Sequence, residues 1–148
     1  MEKCTIGIYP VGTSFFRRNQ KSPFEIDENI EQDGDWSSSI YFWLKETDLP
    51  KFDDSQHPYP MEFKNKVPLP YIRCTYECFR QGGYDERMPD IIEEIEELLG
   101  KKKSKDTLFM KWLGECGYAF QCYNNKEDDA EEIVIPFSLF IPWEITYL

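Results

Sequence analysis

The chain is predicted to be α+β, with a mostly antiparallel sheet and one clear amphipathic helix over about 89–99 packed on it. Three observations carry this expectation. Alternating or β-rich runs lie on both sides of a single strong helical stripe, no regular strand–helix–strand alternation is present, and 148 residues make one domain's worth of chain, 1–148. With 41% hydrophobic and 16% aromatic residues there is ample material for an interior.

From Lys3 to Tyr9, Cys4, Ile6 and Ile8 fall on one side of an extended chain and Thr5, Gly7 and Tyr9 on the other, until Pro10 stops the strand. Between Phe24 and Trp43, an acidic stretch, the turn signal Asp33-Gly34 and the β-rich run Ser39-Ile40-Tyr41-Phe42-Trp43-Leu44 suggest a hairpin. Five prolines between Leu49 and Pro70 remove backbone donors and bias their predecessors away from helix, so about 49–70 is expected to be a long surface loop. Such loops are often functional, although a decorated crossover fits equally well.

Tyr71 to Phe79 alternates Ile72, Cys74, Tyr76 and Cys78 against Arg73, Thr75, Glu77 and Phe79, the pattern of a strand. The helix that follows has Pro89 at its start, a stripe of Ile91, Ile92, Ile95, Leu98 and Leu99, and Gly100 as its stop. Asp90, Glu93 and Glu94 lie toward its positive end and Lys101, Lys102 and Lys103 follow its negative end, in agreement with the macrodipole. A second short helix is favoured at about 106–113, where alternation also permits a strand. Cys116 to Cys122 reads as another strand, and Ile133 to Phe140 with Trp143 to Tyr147 as a final strand or pair, after an acidic loop from Glu127 to Glu132.

Charge narrows the partners. Seventeen Lys and Arg against 28 Asp and Glu leave a net charge of −11, which disfavours direct nucleic-acid binding and anionic lipid. No secretory signal is visible at Met1 to Thr5, and the greasiest window, Ile133 to Trp143, is broken by Pro136, Ser138 and Pro142, so no membrane role is expected. Five cysteines, an odd number without an export signal, argue for reduced thiols in a cytoplasm.

Familiar chemistry fails residue by residue. His57 is the single histidine, which removes two-histidine phosphoesterases and His-Glu-x-x-His zinc sites and leaves only a weak case for a nucleophile paired with it. Cys74-x3-Cys78 and Cys116-x5-Cys122 raise thiolate zinc, but on strands Cys74 and Cys78 would stand roughly 13 Å apart, too far to share one ion. Core packing is the better reading of these cysteines. Gly7-x4-Gly12-Thr13-Ser14 lacks the lysine of a phosphate loop. Asn29-x-Glu31-x-Asp33-Gly34 has Ile40 where a calcium loop needs its bidentate Glu. Pro89-Asp90 lacks the rest of a nuclease signature. No cofactor, metal ligand or catalytic residue is nominated.

The acids are clustered. Glu25, Asp27, Glu28, Glu31, Asp33 and Asp35 fill an eleven-residue window with no Lys or Arg, beside Trp36, Tyr41, Phe42 and Trp43. Incidental surface charge accounts for such a block about as well as selection does. The sharper reading is a docking surface for a basic protein partner, with Glu25, Asp27, Glu28, Glu31, Asp33, Asp35, Trp36, Tyr41 and Trp43 in contact: acids speed the encounter and aromatic anchors slow dissociation. On that reading the chain is an acidic inhibitor or immunity-type protein that neutralises a toxin or effector. The alternative is a small enzyme or ligand-binding domain whose pocket lies in the sheet.

Overall fold

The computed structural model describes residues 4–19, 39–51, 59–74, 88–125 and 130–148. Among the described residues, eight strands form one sheet: β1 (Cys4–Tyr9), β2 (Ser14–Asn19), β3 (Ser39–Trp43), β4 (Tyr59–Asn65), β5 (Leu69–Cys74), β6 (Ala119–Asn125), β7 (Ala130–Pro136) and β8 (Trp143–Tyr147). Two helices, α1 (Met88–Leu99) and α2 (Phe109–Glu115), lie between β5 and β6, and a short 3-10 helix, Glu46–Lys51, follows β3. The spatial order is β1-β5-β6-β7-β3-β2-β4-β8. Every pairing is antiparallel except β5 with β6, whose crossover carries both helices. The chain is therefore α+β with a mostly antiparallel sheet.

The connection from β1 to β2 forces this sheet to roll. Strands β1 and β2 are first and sixth in spatial order, five spacings or roughly 24 Å apart in a flat sheet, whereas the chain from Tyr9 to Ser14 reaches about 17 Å. The contacts agree: Tyr9 meets Phe15 edge-on at 5.2 Å, and Trp143 of β8 lies 5.8 Å from Phe15 and 5.7 Å from Phe63. Buried Asn65 fastens the closure. Its Nδ2 donates to Pro10 O at 3.0 Å and Val67 O at 2.9 Å, and its Oδ1 accepts from Thr13 N–H at 2.8 Å, so a polar side chain with 1% exposure is well satisfied.

Rolling creates two cores. Inside the roll, Phe15, Phe42, Met61, Phe63, Leu69 and Ile133 are wholly buried. On the outer face, Ile72, Cys74, Phe120 and Val134 pack against Ile91 and Ile95 of α1 and Phe109, Met110 and Leu113 of α2. A smaller outer cluster joins Phe16 and Trp43 to Leu49 of the 3-10 helix. Strand residues alternate between these cores because successive side chains point to opposite faces.

Most of the expected elements are present. The helix expected over 89–99 is α1, closed by Gly100 at φ +66° with Lys101 N–H reaching Glu96 O at 3.2 Å. The second helix is α2, displaced from 106–113 to Phe109–Glu115. Three expectations need correction. The proline-rich stretch 49–70 is not one loop, because it contains β4 and the start of β5. Pro60 and Pro70 are tolerated because they lie at the margins of pairing: β6 pairs with β5 only from Tyr71 onward, so a donor at 70 would have no acceptor there. Glu131 and Glu132 belong to β7 rather than to the acidic loop.

The third correction concerns the thiols. Cys4 and Cys74 form a disulfide, with Cα atoms 4.4 Å apart, because the β1–β5 register sets them directly opposite each other. Cys116 is free, and burial pushes its thiol up. Cys78 and His57 lie outside the described residues.

One close approach gives a packing prediction. A Cβ on Gly114 of α2 would stand 2.7 Å from Pro136 Cβ and 3.2 Å from Leu139 N. Alanine would add about 1 kcal/mol of helix propensity, but overpacking against a proline ring and backbone costs about 1–3 kcal/mol. The expected result is a Gly114→Ala variant less stable by about 1 kcal/mol, checked by urea unfolding.

Candidate functional site

The outer face of β3 is the described part of the surface expected to dock a partner. Glu25, Asp27, Glu28, Glu31, Asp33, Asp35 and Trp36 lie outside the described residues, while Tyr41 and Trp43 are on β3. The strand forms because Ile40 and Phe42 enter the interior of the roll and Trp43 packs outside against Phe16 and Leu49. Tyr41 shares the outer face and is 36% exposed, whereas Trp43 retains 8%. Tyr41 thus offers a ring to solvent, and Trp43 anchors the strand.

Register places a carboxyl beside that anchor. Trp43 faces Phe16 on β2 and Glu132 on β7, so an indole, a phenyl ring and Glu132 lie side by side. Glu132 is partly buried, and loss of hydration pushes its carboxyl up to about 7. A group that titrates there changes charge near neutral pH and, while protonated, can donate a hydrogen bond. Asp48, 5% exposed, lies in the adjoining 3-10 helix. That helix is tied to the sheet where Arg18 Nε–H donates to Leu49 O at 3.4 Å.

In the sequence Glu132 reads as one of the loop acids from Glu127 to Glu132. The available signal was phase: Glu132 and Val134 alternate with Ile133 and Ile135, so extending the strand backward puts Glu132 on a packed face.

The inner face is lined by buried, mutually packed side chains. Tyr9 stacks on Tyr71 at 4.1 Å, and its hydroxyl donates to Gln121 Oε1 at 2.6 Å. Arg17 lies 5.8 Å from the Phe42 ring centroid, and burial brings its guanidinium down to about 10, so it stays cationic at neutral pH. Among the described residues, no three His, Cys, Asp or Glu side chains converge in a way that could hold a metal ion. No helix of the described residues is long and apolar enough to cross a membrane. No protein-family model matches the chain, and no curated protein matches it significantly.

Proposed function

We propose that this protein is an acidic binding module, a stoichiometric inhibitor or immunity-type protein that neutralises a basic protein partner. The observation that carries the reading is the charge: a net −11, with six acids in the window from Glu25 to Asp35 and no Lys or Arg among them. This window leads into β3, where exposed Tyr41 supplies an aromatic contact and Trp43 holds the strand against the sheet. A partner that grips nucleic acid carries the complementary charge, and an acidic face could occlude its groove. The reading excludes direct binding to nucleic acid or anionic lipid.

The cytoplasm is the compartment we propose. A disulfide there must withstand the glutathione pool, and the Cys4–Cys74 pair, 3% and 0% exposed, is screened from attack by thiolates.

The test is charge reversal. A Glu28→Lys, Glu31→Lys, Asp33→Lys triple variant should fold normally and associate with the basic partner recovered from the native host at least about tenfold more slowly at low salt. For the unmodified protein, the association rate should fall steeply between low and physiological ionic strength. An unchanged rate in the triple variant would remove the segment from the interface. Turnover of an isolated metabolite would favour the small-enzyme alternative.

A further inference from the structure

We propose that the free edge of β1 is a second docking site, which takes an extended, cationic segment of a protein partner as an added strand. Among the described residues strand β1 ends the sheet, and its register with β5 fixes which backbone groups face outward. The Cα separation of 4.4 Å at Cys4 and Cys74 marks a non-hydrogen-bonded pair, so Cys4, Ile6 and Ile8 direct their N–H and C=O groups away from β5. Cys4 N–H confirms the direction by donating to Glu94 Oε1 of α1 at 3.2 Å. Beyond it the edge has no partner strand among the described residues, and the side chains of Ile6 and Ile8 are 45% and 62% exposed.

Natural edges are guarded by charge, proline or a bulge. The opposite edge, β8, carries Glu144 beside Lys64 and closes with Leu148 N–H donating to Pro60 O at 3.0 Å. Strand β1, Cys-Thr-Ile-Gly-Ile-Tyr, contains no charge and no proline, and its register runs without a shift from Cys4 to Tyr9. It is a ready template for β-augmentation.

Charge selects the occupant. Glu94 reaches the β1 edge, and Asp90 and Glu97 lie four residues before and three after it, hence on the same side of α1, where both are exposed. A strand added beside Ile6 and Ile8 would pass under this acidic row. Lysine or arginine meets both demands, since the aliphatic stem covers an isoleucine while the head reaches a carboxylate. A second copy of the chain would bring another −11 and a second acidic row to the same place. The site does not depend on the segment from Glu25 to Trp43.

The probe is an end-capped peptide of alternating lysine and valine, about six residues long to match β1, titrated at low salt and followed by amide NMR. Saturable shifts at Ile6 and Ile8 are expected. Affinity should fall at least about tenfold when alternate peptide nitrogens are methylated, and binding should vanish when glutamate replaces lysine. Ile8→Pro removes an outward donor without touching the β5 ladder and should reproduce the loss. The methylated peptide makes the same test on the unaltered protein should that variant misfold. Equal affinity for methylated and unmethylated peptide would overturn the proposal. Sedimentation as a dimer that Ile8→Pro abolishes would also overturn it, by assigning the edge to a second copy.

Discussion

Reducing the Cys4–Cys74 disulfide is expected to lower the unfolding free energy by about 4 kcal/mol. The bond spans 70 residues of sequence, and on the chain-entropy account a loop of that size lies between the roughly 3 kcal/mol of a short closure and the roughly 4.7 kcal/mol of a 100-residue one. Loss of the bond leaves the native contacts of β1 in place but returns the unfolded chain its freedom. In urea, at about 2 kcal/mol per molar, the midpoint should move down by roughly 2 M. A Cys4→Ala, Cys74→Ala double variant should show a similar midpoint and no response to dithiothreitol. Exchange with Cys116 is disfavoured, because burial raises that thiol and leaves little thiolate to attack. A midpoint indifferent to reductant in the unmodified protein would mean that the two thiols are not bonded in solution.

This bond also marks where sequence reading stops. Strand β1, helix α1 and strand β8 were legible because each has a local signature: a proline stop, a helical stripe or a short β-rich run. The pairing of β1 with β5 is not local, and without it Cys4 and Cys74 are two cysteines among five. Counting cysteines therefore gave the wrong redox expectation for this pair. Strand β2 was missed for a different reason. Phe15 enters the roll and Phe16 packs against Trp43 and Leu49, so adjacent phenylalanines are both buried and the two-residue period vanishes. In β4 the alternation of Met61 and Phe63 with Glu62 and Lys64 was present, but the surrounding prolines outweighed it.

The candidate docking surface was legible in composition more than in geometry. Clustered acids can be read from a sequence because charge needs no fold to be counted. Whether an aromatic beside them is an anchor for a partner or for its own strand depends on what else packs on its face: Tyr41 and Trp43 share the outer face of β3, yet Trp43 is covered by Phe16 and Leu49 while Tyr41 stays exposed. Ile6 and Ile8 look like core residues in the sequence and share the face of buried Cys4, but they lie along the terminal strand of the described sheet and are exposed there.

Between pH 5 and pH 8 the protein should lose stability on the order of 3 kcal/mol through Glu132 alone. Burial beside Trp43 raises the folded carboxyl to about 7 from an ordinary value of 4.5. The folded state thus holds a proton that the unfolded chain gives up. Stability from this group is complete below about 4.5, declines as pH rises toward 7 and is lost once pH passes through the folded value, the reverse of a salt-bridged carboxylate. Repulsion within a chain of net charge −11 has the same sign, so the wild-type slope alone does not isolate the residue. Glu132→Gln does. The variant keeps the shape of the protonated acid, should match the parent near pH 5, and should exceed it by about 3 kcal/mol at pH 8, read from urea unfolding at each pH. Parallel pH profiles for the two proteins would show that Glu132 ionises as it does in water, and that Trp43 and β7 do not exclude solvent from it.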